Sequence, residues 1–192
     1  MRLENSFTVE RPIETTWGLL LDVPAIAPCI PGVRLTEVVD ERTFRGIGEV
    51  RLGPVQLALA GEARLDAVDA IRRTMTIRGK GRDAKGRGGT EATVEIALAP
   101  LDAARTRVSL RTELELSGAI AQYGRASGII HEVARQITAQ FAANLDARLA
   151  AEAPNAAPST AAAKPAPSLL ALVLRAFAAL VRARFNVLFG RR

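Results

Sequence analysis

The sequence predicts an α+β fold: one antiparallel sheet lies against a long helix, followed by a linker and a separate amphipathic tail helix. Three observations carry this expectation. Between about residues 119 and 150, Ile120, Tyr123, Ser127, Ile130, Ala134, Ile137, Phe141, Leu145 and Leu149 recur every three or four residues, the stripe of a helix buried on one side. Upstream, apolar and polar residues alternate with period two through several runs separated by short turns. Beyond residue 150 the composition changes abruptly, to alanine and proline and then to an apolar, arginine-bearing stretch.

In chain order, Leu3, Asn5, Phe7 and Val9 alternate with Glu4, Ser6, Thr8 and Glu10 and predict a half-buried strand. Pro12 suits the first turn of a helix from Ile13 to Leu21 that turns Trp17, Leu20 and Leu21 inward. Pro24 opens a second short helix, closed by Cys29-Ile30-Pro31-Gly32. Strands follow around Arg34–Val39, Phe44–Leu52, Val55–Asp66, Ile71–Arg78, Thr90–Leu98 and Arg107–Leu116. Short turns such as Asp40-Glu41-Arg42 and Gly53-Pro54 make the connections hairpins and the sheet antiparallel. The apolar face of that sheet and the stripe of the long helix are natural partners.

The 192 residues carry a net charge of +6, and its distribution is more informative than its size. Residues 1–150 hold 20 Lys/Arg against 19 Asp/Glu, whereas residues 151–192 hold six basic residues against Glu152. The domain is therefore almost neutral, which argues against a nucleic-acid partner. One cysteine and one histidine, Cys29 and His131, leave no internal disulfide, no metal-site spacing and no nucleophile–base pair. The opening residues Met1 to Asn5 lack the apolar stretch of a secretory leader, so a cytoplasmic location is expected.

The order of strand, two short helices, six strands and long helix resembles the SRPBCC superfamily, with its START-like, helix-grip fold. Within it the chain looks closest to the family of the carbon monoxide dehydrogenase G subunit. The resemblance rests on Phe7-x-Val9 with Pro12 and Trp17, the Cys29-Ile30-Pro31-Gly32 turn and the Gly53-Pro54-Val55 hairpin. The glycines of 79–89 and Gly124 also match. It covers residues 1–150 and implies a curved sheet gripping the helix. It further implies a molybdenum-containing dehydrogenase as partner and a variable tail associated with the membrane; the lack of a nucleophile–base pair makes no activity and no covalently bound cofactor the expectation.

Gly46, Gly48, Gly61 and Ala63 fall on the inward face of their strands, and Gly124 and Gly128 on or near the inward side of the helix. Missing side chains on facing surfaces either leave a cavity or let the sheet coil around the helix. The sequence alone leaves both open, and the resemblance favours a cavity for an apolar ligand, a quinone or a lipid. Its expected lining is Trp17, Phe44, Gly48, Leu57, Met75, Tyr123, Gly124, Ile130, His131 and Phe141, with Trp17, Tyr123 and His131 at the ligand's head group. His131 lies about 80° from the centre of the stripe at ~100° per residue, on a flank. The alternative to a ligand carrier is a cavity-based cyclase or dehydratase, for which Asn5, Tyr123 and His131 supply the only acid–base candidates; a pure membrane adaptor with a filled core is the other. The glycine-rich stretch 79–89 lacks the Gly-Lys-Ser/Thr ending of a phosphate loop and is expected to be a mobile, basic hairpin tip.

Residues 151–168, with eight alanines and four prolines, read as a semi-extended linker. Residues 169–192 read as a basic amphipathic helix. Leu170, Val173, Phe177, Leu180 and Leu188 form its apolar side, Arg175 and Arg182 its polar side, Arg184 interrupts the apolar side, and Arg191 and Arg192 end it. The stretch is long enough to span a bilayer, which needs about 20 residues, but three internal arginines at about 2.5–3.5 kcal/mol each oppose spanning. A helix lying on the inner membrane face is the expectation, with docking in a partner's groove as the alternative.

Overall fold

The computed structural model describes residues 1–52, 55–125 and 127–152. The linker from residue 153 and the tail helix, with Leu170, Val173, Arg175, Phe177, Leu180, Arg182, Arg184, Leu188, Arg191 and Arg192, lie outside the described residues.

Seven antiparallel strands form one sheet: β1 (Arg2–Val9), β2 (Val33–Val38), β3 (Thr43–Leu52), β4 (Val55–Asp69), β5 (Thr74–Asp83), β6 (Gly88–Pro100) and β7 (Thr106–Gly118). Their order across the sheet is β1-β7-β6-β5-β4-β3-β2, so every neighbour except β1–β7 is a sequential hairpin. Between β1 and β2 come α1 (Ile13–Leu21), α2 (Val23–Ile26) and a 3₁₀ turn (Ala27–Cys29). After β7 come α3 (Ala121–Arg125) and α4 (Ser127–Glu152), the two elements that occupy the predicted long helix. The predicted stripe faces inward where it is described: Ile120, Ile130, Leu145 and Leu149 are buried, and Tyr123, Ala134, Ile137 and Phe141 half-buried.

Two packed clusters join the helices to the inner face. The larger gathers Trp17 and Leu20 of α1, Ile26, Cys29, and Leu145 and Leu149 of α4 over Val9, Leu65, Met75, Leu98 and Val108 of the sheet. Phe141 meets Phe7 edge-on at a centroid distance of 5.5 Å, the arrangement that the ring quadrupoles favour. The smaller cluster joins Leu52, Leu57 and Ile120, with Tyr123 and Val133 packed against them.

The Cys29-Ile30-Pro31-Gly32 turn connects these layers. The Cys29 carbonyl accepts a 2.9 Å hydrogen bond from Asn144 of α4, and the Gly32 carbonyl accepts one of 2.8 Å from the Glu49 amide of β3. Gly32 has φ of +73°, and a Cβ there would stand 2.4 Å from the Glu49 carbonyl oxygen, so only glycine closes this turn. Arg11 donates to the Leu149 carbonyl at 3.0 Å, and Arg148 donates to the Ala25 carbonyl. The C-terminal half of α4 is thus fixed to the helical connection as well as to the sheet.

One expectation is corrected. Much of 79–89 is strand: Gly79 to Asp83 belong to β5 and Gly88 and Gly89 to β6, leaving only 84–87 as the turn. That turn is tied down. The Asp83 side chain, fully buried, takes Arg87 Nε at 2.7 Å, Arg87 Nη2 at 2.8 Å and the Lys85 amide at 3.1 Å. Arg87 also donates to the Gln56 carbonyl at 2.8 Å, and its own carbonyl accepts from the Ala119 amide at 2.7 Å. The pair clasps the β5–β6 turn to β4 and to the start of the helical segment.

Arg87, donating two hydrogen bonds, holds the Asp83 carboxyl well below the usual carboxylate range, against the opposing effect of its burial. A folded pKa below the unfolded one adds stability above the unfolded value, near pH ~4, and that stability is lost as pH falls through the folded value. Asp83→Asn is therefore expected to lower the melting temperature by on the order of 10 °C at pH 7. It should also flatten the stability decline below about pH 4. Thermal melts at pH 7 and pH 3 check this; parallel losses in variant and wild type would sink it.

Candidate functional site

The site is the inner face between the two packed clusters. Strand register builds its floor in two rows. Leu35, Gly46, Gly61, Gly81, Thr90 and Leu116 stand side by side across β2 to β7. Beside them run Phe44, Ala63, Gly79, Ala92 and Leu114. Six of these positions carry no side chain beyond Cβ. On α4, Ala134, Ile137 and Thr138 are half-buried. The helix packs chiefly on β1, on the 3₁₀ turn and on β3, toward the rims of the sheet.

The glycines divide into two kinds. A Cβ at Gly61 would stand 2.0 Å from the Lys80 carbonyl oxygen, and one at Gly46 2.8 Å from that of Arg34. At these positions neighbouring strands approach too closely for any side chain, and glycine serves the coiling of the sheet. At Gly48 a Cβ would meet nothing within 4 Å, and at Gly79 only the Glu62 carbonyl at 3.9 Å. Those two border open space. The coiling explanation therefore holds at Gly46 and Gly61, while Gly48 and Gly79 leave room for a side chain.

Around this space Leu59, Ala63, Ile77, Ala92, Val94, Leu114 and Leu116 are only half-buried although they point toward the helix. Apolar surface left partly wet between two dry clusters forgoes about 25 cal/mol per Å², and an apolar guest would recover it.

The expected lining residues fall in several environments. Trp17 and Met75, 6% and 2% exposed, belong to the larger packed cluster. The Arg73 guanidinium sits 5.7 Å from the Trp17 ring centroid while gripping Glu14 with both carboxylate contacts at 2.6 Å. Leu57 and Tyr123 belong to the smaller cluster at the other end. Phe44 and Ile130 are buried, Phe141 is half-buried, and Gly48 opens on the space. His131 is exposed, one position from the buried Ile130, so the structure does not bring it to the floor. Gly124 lies in α3, and its surroundings are outside what is described. Thr90 and Ala92 are floor residues that the sequence does not single out, and Gly79, expected in a hairpin tip, is a third; period-two alternation from Ile96 back along β6 is the signal that places Thr90 inward.

The opposite face of the sheet holds a different depression of about 1040 Å³, walled by Arg45, Glu62, Lys80, Arg82 and Glu91 over Ala60 and Gly89, and bordered too by the floor residues Gly46, Gly61, Gly81 and Thr90. It is wide open and charged, unsuited to an apolar guest. Among the described residues no helix is long and apolar enough to cross a membrane.

A curved sheet gripping a long helix is a fold shared with known proteins. The family model described as the carbon monoxide dehydrogenase G subunit (CoxG) matches residues 6–150. The chain belongs to the CoxG family. No curated protein sequence matches it. Among solved structures it is similar to a conserved protein from Geobacillus kaustophilus, at TM-score 0.68 and 18% identity over 79% of this chain and 96% of that one. It is also similar to the Zhui aromatase/cyclase from Streptomyces, at 0.57 and 17% over 81% and 97%. Norcoclaurine synthase from Thalictrum flavum, crystallised with dopamine and hydroxybenzaldehyde, matches at 0.55 and 10% over 80% and 88%. At these identities the likeness to solved structures shows the fold alone, and this CoxG-family chain shares it.

Proposed function

We propose that this protein is a non-catalytic accessory protein of a carbon monoxide dehydrogenase-like molybdenum hydroxylase. It holds an apolar ligand, a quinone or a lipid, between the sheet and α4, and residues 169–192 tether it to the inner membrane face. The observation that carries this reading is the bare, half-wet apolar floor bordered by Gly48 and Gly79. The family supports the partner. The near-neutral domain and basic tail support attachment to an anionic surface.

A quinone fits the chemistry. A dehydrogenase whose electrons enter a membrane chain must exchange with a carrier that lives in the bilayer, and an apolar cavity shields that carrier from water. A linker of the predicted Ala/Pro composition would let the domain travel between bilayer and enzyme.

The full chain purified from host membranes without detergent, then extracted with organic solvent, should yield a quinone or lipid by mass and ultraviolet absorbance. An empty extract would reject the carrier role. Removal of residues 169–192 should release the protein from anionic vesicles; equal flotation of both forms would reject the tether.

A further inference from the structure

The floor of the site has one polar group that the fold leaves unanswered. Among the described residues, the Thr90 hydroxyl is the buried side-chain polar atom without a hydrogen-bond partner. Other buried threonines are satisfied: Thr16 donates to the Pro12 carbonyl at 3.1 Å and Thr106 to the Arg11 carbonyl at 2.9 Å. A buried hydroxyl left unpaired opposes folding, so an unanswered one on a floor residue calls for a cause.

Thr90 ends the run Gly46, Gly61 and Gly81, with Leu116 beyond it. Its Cγ2 methyl stands 3.5 Å from where a Gly81 Cβ would be, a point that Leu59 Cβ approaches to 3.3 Å, so the methyl faces the inner side of the sheet among Gly81 and Leu59. A step of about 120° in χ1, from one staggered well to the next, would bring the hydroxyl to that side. At this end of β5 Asp83 and Arg87 are committed, since they hold each other and neighbouring backbone. A charged head group would therefore find no free counter-charge from this pair, whereas a neutral acceptor would find a donor.

We propose that the Thr90 hydroxyl is the head-group contact of the site, donating a hydrogen bond to a carbonyl oxygen of an otherwise apolar ligand. The inference rests on the ligand-holding reading and names the chemistry its guest must present. Quinones and glycerides share that chemistry.

The test uses the full chain, with decylubiquinone and dioctanoylglycerol as probes in equilibrium dialysis, and Thr90→Val and Thr90→Ser variants. Valine keeps the shape and removes the hydroxyl. Thr90→Val should weaken the better probe about five- to tenfold, with an unchanged or higher melting temperature, and Thr90→Ser should bind within about twofold of wild type. Preference for decylubiquinone would identify a quinone carbonyl, and preference for dioctanoylglycerol an ester carbonyl. Undiminished binding by Thr90→Val would overturn the proposal. So would weakened binding and a lowered melting temperature in both variants, the mark of a packing role. Wild-type protein that binds neither probe, by contrast, would overturn the ligand-holding reading itself and this contact with it.

Discussion

Gly48→Leu is expected to abolish retention of an apolar ligand while leaving the melting temperature unchanged or slightly raised. A Cβ at this position meets nothing within 4 Å, so the leucine's first carbon is unopposed and the side chain is expected to extend into the space above the floor. Overpacking a filled core typically costs about 1–3 kcal/mol. Here that cost is absent, and replacing glycine in the middle of β3 removes an entropic cost of about 0.5–1 kcal/mol. The ligand loses the volume that the leucine takes. Native mass spectra and thermal melts of Gly48→Leu beside wild type read both quantities. A fall of more than about 5 °C, roughly 2 kcal/mol in a domain of this size, would mean that the core was already full there.

The large-scale fold was legible because it is written in periodicity. Alternation locates all seven strands, and the stripe from Ile120 to Leu149 locates the terminal helix and its buried side. The site was legible only in outline. Gly46, Gly48 and Gly61 look alike in sequence, since each alternates inward with apolar neighbours. What separates them is the distance to the next strand's backbone, a property of how the sheet coils. The Asp83–Arg87 clasp is hidden because a glycine-rich stretch suggests a loose turn. Register shows instead that Gly81 faces Gly61 and Gly79 faces Ala63 within the sheet. An acidic residue four positions before an arginine across a short turn was the available signal. Size and inward parity point Trp17 and Met75 toward the lining. The short helices cover that end of the sheet, and packing against Leu145 and Leu149 makes them core instead.

Gly61→Ala, smaller as a chemical change than Gly48→Leu, is expected to be far more damaging. Its single added carbon would stand 2.0 Å from the Lys80 carbonyl oxygen, 2.8 Å from Gly81 Cα and 2.9 Å from the Lys80 carbonyl carbon. All three are backbone atoms, so no side chain can turn aside, and relief requires β4 and β5 to separate. Those strands pair from Leu59–Asp83 through Asp69–Thr74, and separation at Gly61 strains the ladder on both sides. It also pulls on Asp83, whose contacts with Arg87 close the neighbouring turn. We expect a loss of at least about 3 kcal/mol, roughly 6–12 °C in melting temperature for a domain of this length. If coiling of the sheet is what Gly61 serves, Gly79→Ala, whose Cβ approaches only the Glu62 carbonyl oxygen at 3.9 Å, should melt within about 3 °C of wild type. Equal losses in the two variants would show that β4 and β5 have no special closeness at Gly61, and that the floor is bare for some reason other than its curvature.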